Sequence, residues 1–315
     1  MRALCWDGAT AAVCDRPAPR ADGDYAVVRV TVAGICNTDL ELTRGYMDFR
    51  GVLGHEFVGI VDDGPPAWRG RRVVGEINFA CRHCPTCAAG LGRHCPTRSV
   101  MGILNADGAF AEYVAVPIAN LHMVPDGVAD DAAAFCEPLA AAFEILEQVP
   151  SAAQSRCVVL GDGKLGLLAA QVLAAAGARV LAVGRHQRKL EVLRGRGIET
   201  VTLDAWDRTR ADVVVEATGT AAGFALAVAA TRPRGTVVLK STVAHAAPLH
   251  LAPVVIDELT VVGSRCGPFA PALDALARGT VDVTSLISAR RPLREGVEAL
   301  RLAAEPGVVK VLLEP

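Results

Sequence analysis

The chain has 315 residues, a length that favours two domains over one. Its formal net charge is −2 and no block of like charges occurs, which argues against nucleic acid or an anionic membrane as the main partner. Apolar residues make up 51% of the sequence and aromatic residues only 4%, so we expect a sizeable core built mostly from Ala, Val and Leu.

The amino terminus, MRALCWDG, lacks the basic and apolar regions of a signal peptide. The most apolar stretch, residues 165–184, is interrupted by Gln171, Gly177 and Arg179, and such a stretch does not favour a membrane-spanning helix. We therefore expect a cytoplasmic protein with no membrane partner. In that reducing compartment, the ten cysteines favour metal binding or catalysis over disulfides.

The first 137 residues are predicted to form a β-rich domain with long loops. Short runs rich in β-branched residues and bounded by Gly or Pro occur at 25–32, 57–62 and 71–77, a pattern typical of strands. Helical periodicity is rare in this part of the chain, apart from a short segment after Cys36.

Four cysteines follow the spacing C-x2-C-x2-C-x7-C: Cys81, Cys84, Cys87 and Cys95. Such short spacings let four thiolates converge on one tetrahedral ion, and a closed shell of four thiolates is typical of structural zinc. An iron–sulfur cluster or free thiols are the alternatives, and His83 and His94 are possible substitute ligands. Because all four cysteine positions are filled, we predict a structural zinc lobe over residues 81–95.

From about residue 138 the pattern changes to helices that alternate with strands. Good helix formers with a Pro in the first turn predict a helix over 138–148. The alternation that follows predicts helices and strands at 156–160, 164–176, 179–183, 186–194, 212–217 and 236–239. This order predicts an α/β domain with a parallel, doubly wound sheet over 138–265. The alternation then fades, and we expect residues 266–315 to return to the first domain.

A glycine-rich loop, GDGKLG, directly follows the first predicted strand of this domain and opens a predicted helix. In such a loop Gly161 permits a tight turn, Gly163 lets the backbone approach a pyrophosphate, and Gly166 lets the helix pack closely on the sheet. The amides of the helix start, at Lys164 and Leu165, then face the phosphates with positive partial charge. A glycine-rich turn without a ligand is the alternative, which the strand-to-helix context disfavours.

The end of the second predicted strand decides which cofactor this loop binds. An acidic residue there would bind the ribose hydroxyl of NAD, but Gly184 holds the place and Arg185 follows, with Arg188 close behind. A small residue with a guanidinium suits a 2′-phosphate, because Arg binds phosphate oxygens in a forked geometry. The sequence therefore favours NADP(H) over NAD(H), although the two arginines could instead be solvated charges at a helix start.

Three further pieces are weak signals alone: GICNTD at 34–39, GHE at 54–56 and CEPL at 136–139. Together with the four cysteines and GDGKLG, and in this order over essentially the whole chain, they resemble the zinc-containing medium-chain dehydrogenase/reductase family. The Glu-Pro pair is similar to the sorbitol, threonine and glucose dehydrogenase branches. The resemblance implies a GroES-like catalytic domain over 1–137, completed by the C-terminal segment, an inserted Rossmann domain, and an active site in the cleft.

The same resemblance assigns the ligands of a catalytic zinc, carried over residue by residue. Cys36 and His55 match the family's ligands. Glu56 matches the acid after that His, which ligates zinc in some members or states. Glu137 stands where alcohol dehydrogenases commonly have a third ligand Cys, and Cys136 is a lower-ranked rival.

The resemblance also assigns supporting roles in the chemistry. Asp39 matches the carboxylate that orients the His ligand, and Thr38 matches the hydroxyl that begins a proton relay. A relay His is often found where this chain has Glu41, which could replace it or be a surface helix residue.

The implied reaction is hydride transfer between NADP(H), or NAD(H), and a secondary alcohol, polyol or sugar, with one catalytic and one structural zinc per chain. A zinc-free quinone or enoyl reductase on the same fold, and a cofactor-binding module without catalysis, are the alternatives. Because family members are usually dimers or tetramers, we expect a homo-oligomer, with residues 258–265 as an edge strand near the interface.

Overall fold

The computed structural model describes residues 1–242 and 248–315, and its contacts divide the chain into two compact units. Unit 1 consists of Met1–Glu137 and Ile287–Pro315, and unit 2 is Pro138–Leu286. The first boundary falls where the sequence pattern changes. The return to unit 1 begins at Ile287, so the predicted start of the C-terminal segment at residue 266 is corrected.

Residues 266–286 belong to unit 2 because hydrogen bonds attach them there. The side chain of Gln171 bonds both the amide and the carbonyl of Asp282. The guanidinium of Arg196 donates to the carbonyls of Gly279 and Thr280. The loss of strand–helix alternation after residue 265 therefore marks the end of the sheet and not the end of the domain.

Unit 1 is mainly β-structure. Its strands are β1 (Arg2–Trp6), β2 (Ala11–Asp15), β3 (Tyr25–Gly34), β4 (Gly51–Val52), β5 (Glu56–Asp63), β6 (Arg72–Gly75), β7 (Asn78–Phe79), β8 (Ser99–Met101), β9 (Asn105–Ala106), β10 (Tyr113–Pro117), β11 (Leu121–Met123), β18 (Ile287–Pro292) and β19 (Lys310–Glu314). Its helices are α1 (Asn37–Leu42), α2 (Pro85–Ala88), α3 (Asp130–Ala133) and α10 (Gly296–Ala303).

The main sheet of unit 1 has the order β11-β6-β5-β3-β19-β18, and β10 also pairs with β3. Two three-stranded sheets, β2-β1-β4 and β7-β8-β9, complete the unit. The predicted strands at 25–32, 57–62 and 71–77 are observed as β3, β5 and β6. Most side chains of these runs are apolar and buried, as in β3, where Tyr25 and Arg29 are exposed and the valines and alanines are buried.

Unit 2 contains six parallel strands: β12 (Arg156–Leu160), β13 (Arg179–Gly184), β14 (Glu199–Thr202), β15 (Ala211–Glu216), β16 (Thr231–Leu239) and β17 (Thr260–Gly263). Its helices are α4 (Cys136–Gln148), which begins at the boundary, α5 (Lys164–Ala175), α6 (Gln187–Arg194), α7 (Ala221–Ala230), α8 (Ala252–Ile256) and α9 (Phe269–Arg278).

The strand order β14-β13-β12-β15-β16-β17 is the doubly wound order of a dinucleotide-binding sheet, with the reversal between β12 and β15. Continuous apolar runs such as that of β12 are buried on both faces, which confirms the predicted parallel sheet. Strand β17 lies at the edge, as expected for residues 258–265. Within the described ranges, no helix is both long and apolar enough to cross a membrane.

One expectation about the cysteines is wrong. Cys5 on β1 and Cys14 on β2 form a disulfide, with their Cα atoms 6.3 Å apart. The two strands pair antiparallel, with Cys5 opposite Ala12 and Cys14 opposite Ala3. Cys5 and Cys14 are therefore diagonal neighbours on paired strands, and such neighbours lie within reach of a disulfide. The local sequence does not indicate this register.

We predict that Gly166→Ala lowers the free energy of unfolding of the protein by about 1–3 kcal/mol, because a methyl group there would overlap the carbonyl oxygen of Gly161. Thermal and urea unfolding would measure the change. Gly263→Ala is the matched control, since a Cβ there meets open space, and it should leave stability within about 0.5 kcal/mol. Equal stability of the two variants would contradict the close approach.

Candidate active site and metal centres

The turn after β3 holds the thiol of Cys36 at the start of a helix. Cys36 precedes α1 with extended backbone angles, and its amide donates to Oδ2 of Asp39 at 2.8 Å. Such a bond from the third helical residue back to the cap fixes the first turn of a helix. Thr38 lies in the same turn, with its hydroxyl oxygen 3.8 Å from the sulfur of Cys36.

Strand pairing brings two more ligand candidates to this sulfur. In the antiparallel pair of β3 and β5, Gly34 lies opposite Glu56, so His55 and Glu56 stand next to the turn that carries Cys36. The sulfur, an imidazole nitrogen and a carboxylate oxygen of these three residues all lie within 4.8 Å of one another. A single divalent ion with Zn–S and Zn–N or Zn–O bonds of about 2.0–2.3 Å can reach all three.

Asp39 also orients the imidazole. Its Oδ1 lies 3.1 Å from Nδ1 of His55, and both side chains are buried. Burial by itself lowers the pKa of His55, but the charge and the hydrogen bond of Asp39 raise that pKa well above its ordinary value. With Nδ1–H donated to the carboxylate, Nε2 is the nitrogen left for a metal.

A buried lysine that no sequence motif indicated completes this region. Nζ of Lys310, at the start of β19, forms a short ion pair with Oε2 of Glu56, and both residues are fully buried. The ammonium also lies 5.2 Å from the ring centre of Phe135. In the sequence Lys310 interrupts an apolar run, VVKVLL at 308–313, and this charged residue among apolar neighbours was the signal that could have indicated it.

The other carboxylate oxygen of Glu56 shows whether this cluster fits a metal ion. Oε1 is buried, and the described residues give it no hydrogen-bond partner. A buried charged oxygen without a partner is costly, and a cation between it, the thiol and the imidazole would remove that cost. The residues present therefore fit a zinc ion.

Packing requires a glycine at position 34, and the GICNTD motif did not indicate this requirement. A Cβ on Gly34 would lie 2.5 Å from Oε2 of Glu56 and 3.4 Å from Nζ of Lys310. The ion pair therefore occupies the space that any larger residue would need.

Two residues named from the family pattern, Glu137 and Cys136, stand apart from the cluster. Glu137 is half-buried in the first turn of α4 and is not among the atoms that converge with Cys36. Cys136 is buried, and burial raises the pKa of its thiol well above the ordinary value, with smaller effects of Glu137 and Glu76. Among the described residues, the group of converging ligand atoms around Cys36 and His55 includes Glu56 and does not include Glu137 or Cys136.

Glu41 lies on the surface of α1. It forms an ion pair with Arg44 one turn later, at 2.7 Å, and the Arg44 side chain is largely exposed. This position suits the interpretation of Glu41 as a surface helix residue.

The four cysteines of the lobe over 81–95 converge. Four sulfur pairs lie 3.5–3.9 Å apart, and all four sulfurs lie within 4.8 Å of one another. A tetrahedron with Zn–S bonds of about 2.3 Å has edges of about 3.8 Å. His83 is turned to the main chain, where its Nδ1 lies 2.7 Å from the carbonyl of Cys81, so the geometry fits a four-thiolate zinc site.

Backbone amides prepare two of these sulfurs for a cation. The amides of Cys81 and Cys87 donate to the sulfurs of Cys95 and Cys84, each at 3.5 Å. Amides of His83 and Cys84 lower the pKa of Cys81 to about 5. Desolvation, and after it the hydrogen bonds with the neighbouring thiols, raise the pKa of Cys87 to about 12. A divalent ion would stabilise the thiolate form of this sulfur, because metal binding requires a deprotonated cysteine.

In unit 2 the glycine-rich loop has the shape that a diphosphate requires. Gly161 has φ +117°, and a Cβ on it would lie 2.5 Å from the carbonyl oxygen of Ala217. Gly163 precedes α5 with open space beside it and no side-chain cap on the helix amides. Lys164 and Leu165 form the first turn of α5. This cradle fits a phosphate group at a helix start.

The end of β13 differs from the expectation in one respect. Gly184 is buried there, and Arg185 and Arg188 are exposed, as a phosphate-binding pair would be. However, the carboxylate of Asp162, in the glycine-rich loop, accepts the amides of Arg185 and His186. The role of Asp162 is not visible in the sequence, because its partners Arg185 and His186 are more than twenty positions away.

Comparison with known proteins agrees with both units. A model of the alcohol dehydrogenase GroES-like domain matches residues 22–126, and a model of the zinc-binding dehydrogenase matches residues 165–278.

Relatives span almost the whole chain. The 2-dehydro-3-deoxy-L-galactonate 5-dehydrogenase of Pseudoalteromonas atlantica is 31% identical over 90% of this chain and 90% of its own length. The sorbitol dehydrogenase of Halalkalibacterium halodurans is 29% identical over 96% and 95%. The structure of a zinc-binding dehydrogenase of Sinorhizobium meliloti bound to NADP matches with a TM-score of 0.91 and 31% identity, covering 100% of this chain and 99% of that chain. With two matching domain models and full-length relatives, this chain belongs to the zinc-binding, medium-chain alcohol dehydrogenase family.

Proposed function

We propose that this protein is a zinc-dependent dehydrogenase that transfers a hydride between a nicotinamide cofactor and a secondary alcohol, polyol or sugar. The convergence of Cys36, His55 and Glu56 within 4.8 Å, beside a buried carboxylate oxygen without a partner, carries this proposal. A zinc-free quinone or enoyl reductase would have no use for such a set of donors.

Each residue of the cluster has a defined part. Cys36, His55 and Glu56 would hold zinc, which when bound leaves one position for substrate and polarises an alcohol or carbonyl oxygen. Asp39 holds the His55 ring with Nε2 available, through the bond to Nδ1. Thr38, with its hydroxyl near the Cys36 sulfur, would hold and pass on the proton of the substrate hydroxyl. Glu137 stays a predicted alternative to Glu56.

Lys310 acts on the metal site through Glu56. Its ammonium holds Oε2 of the carboxylate and leaves Oε1 for the cation. The same ammonium offsets the negative charge of the Glu56 carboxylate in a site that also contains the thiol of Cys36.

The cofactor would bind in unit 2. The loop from Gly161 to Gly166 would hold the diphosphate at the start of α5, and the nicotinamide supplies the hydride acceptor or donor. Arg185 and Arg188, exposed after β13 and without an ion pair among the described residues, favour a 2′-phosphate and hence NADP(H).

Two of the relatives support a polyhydroxylated substrate. They are dehydrogenases of a sugar acid and of sorbitol, and the Glu-Pro pair at 137–138 resembles the sorbitol branch. We therefore place polyols and sugar acids ahead of simple alcohols as substrates.

Two further features belong to the proposed holoenzyme. The four-cysteine lobe would hold a structural zinc ion, since four thiolates leave no open position.

A homodimer or homotetramer would form along the edge strand β17, where Val261 and the nearby Val255 and Ile256 expose apolar side chains.

A panel of polyols, sugar acids and secondary alcohols with NADP and NAD tests the proposal directly. Cys36→Ser should abolish turnover, because one ligand of the catalytic ion is lost. The zinc content measured by metal analysis should fall from about two ions to about one ion per chain. Dinucleotide binding of the variant should match that of the wild type, because the glycine-rich loop belongs to unit 2 and Cys36 to unit 1.

Cys157→Ser is the control, because Cys157 is buried in β12 and only donates to the carbonyl of Ala152. It should keep both zinc ions and full turnover. Turnover retained by Cys36→Ser, or no turnover of the zinc-loaded wild type with any substrate and either cofactor, would refute the proposed function.

For the buried ion pair we predict that Lys310→Met lowers the free energy of unfolding by about 3–5 kcal/mol, since Glu56 is left charged and buried. Chemical denaturation of the metal-free protein would measure it. The double variant Lys310→Met/Glu56→Gln should recover roughly half of the loss or more. Lys189→Met on α6 is the control, and equal stability of both lysine variants would contradict the pairing.

For the lobe we predict that Cys84→Ser removes one zinc ion per chain and lowers the midpoint of thermal unfolding, because metal binding and folding of such a lobe are coupled. Metal analysis with differential scanning calorimetry would show both effects. Thr86→Ser, a conservative change in the same helix at a position that supplies no thiol, is the control. Full zinc content in Cys84→Ser would mean that the sulfurs do not hold the ion.

A further inference from the structure

Strand β13 ends at Gly184, where dinucleotide-binding sheets that use NAD carry an acidic side chain. The space of that missing side chain is filled from another part of the chain. A Cβ on Gly184 would lie 2.6 Å from Cβ and 2.7 Å from Oδ2 of Asp162. The glycine-rich loop therefore places a carboxylate where β13 lacks one.

Three contacts fix this carboxylate. Oδ2 of Asp162 accepts the amide of Arg185 at 2.8 Å and the amide of His186 at 2.6 Å, and it lies 3.0 Å from Nδ1 of His186. Asp162 is buried overall. No contact among the described residues takes up Oδ1 as an acceptor, so this oxygen keeps its capacity for a ligand.

The same contacts change the electrostatics around the two arginines. A phosphate monoester in this region would use the free amides after the strand together with Arg185 and Arg188. Here Asp162 already takes two of those amides, and its negative charge opposes a second anion nearby. A ribose hydroxyl, in contrast, can donate to a carboxylate oxygen.

We propose that Asp162 is a specificity-determining residue of the dinucleotide site, which replaces the acid missing from β13. It binds the adenosine ribose hydroxyl of NAD(H) and opposes the 2′-phosphate of NADP(H), so the preference that Arg185 and Arg188 create is small and both cofactors are used. This inference rests on the proposed binding of a dinucleotide in unit 2. It assigns the choice between the cofactors to a residue of the glycine-rich loop.

Calorimetric titration of the holoenzyme with 2′,5′-ADP and with 5′-AMP tests the inference without turnover. The two nucleotides differ only in the 2′-phosphate, and the ratio of their dissociation constants is the measured quantity. Asp162→Asn keeps an oxygen that can accept the two amides but removes the charge. It should shift the ratio about tenfold in favour of 2′,5′-ADP.

Asp162→Ser, which is neutral and still offers an acceptor, should shift the ratio in the same direction. It provides a second variant if Asp162→Asn is unstable. Asp274→Asn, the same substitution on the exposed side of α9, is the control and should leave the ratio unchanged. The wild type should bind the two nucleotides with affinities within about tenfold of each other.

An unchanged ratio in both Asp162 variants, or a shift toward 5′-AMP, would overturn the role of Asp162 while leaving the dinucleotide site intact. A wild type that binds neither nucleotide would overturn the proposed cofactor site and this inference with it. A wild type that binds 2′,5′-ADP far more tightly than 5′-AMP would show that the arginines alone decide the preference.

Discussion

The candidate zinc site depends on the register between β3 and β5. With Gly34 opposite Glu56, the turn that carries Cys36 lies beside the start of β5, where His55 and Glu56 stand. A shift of one residue would turn Glu56 to the other face of the sheet, because side chains alternate along a strand. Strand β19 pairs with β3 at the same level, so the C-terminal segment brings Lys310 to the same point.

Each buried charged side chain at the candidate zinc site of unit 1 is compensated by a polar or charged partner. Asp39, His55, Glu56 and Lys310 are all buried, and burying a charge is unfavourable unless a partner compensates it. Asp39 is satisfied by the Cys36 amide and by His55, and one oxygen of Glu56 is satisfied by Lys310. The thiol, one imidazole nitrogen and one carboxylate oxygen are left facing each other. The supporting contacts thus select the three donors that a divalent ion would receive.

In unit 2, glycines make the space that the phosphate-binding loop and a buried carboxylate need. Gly161 and Gly166 permit the close approach of loop, strand and helix that shapes the phosphate cradle. Gly184 leaves room for Asp162, whose carboxylate then caps the amides after β13. In both units a glycine without functional atoms decides which charged side chain can occupy the neighbouring space.

Local patterns in the sequence indicated the two-domain organisation, the parallel sheet, the glycine-rich loop and the four-cysteine lobe, because periodicity and motif spacing involve residues close together in the chain. The family resemblance indicated Cys36, His55 and Glu56 as zinc ligands. Tertiary structure alone decided several other contacts. Lys310 and Glu56 are 254 positions apart, and only the pairing of β19 with β3 brings them together. The Cys5–Cys14 disulfide, the contact of Asp162 with Arg185, and the start of the return at Ile287 likewise follow from register and packing. Sequence periodicity specifies which face of a strand is buried, but it does not specify which strand lies next to it.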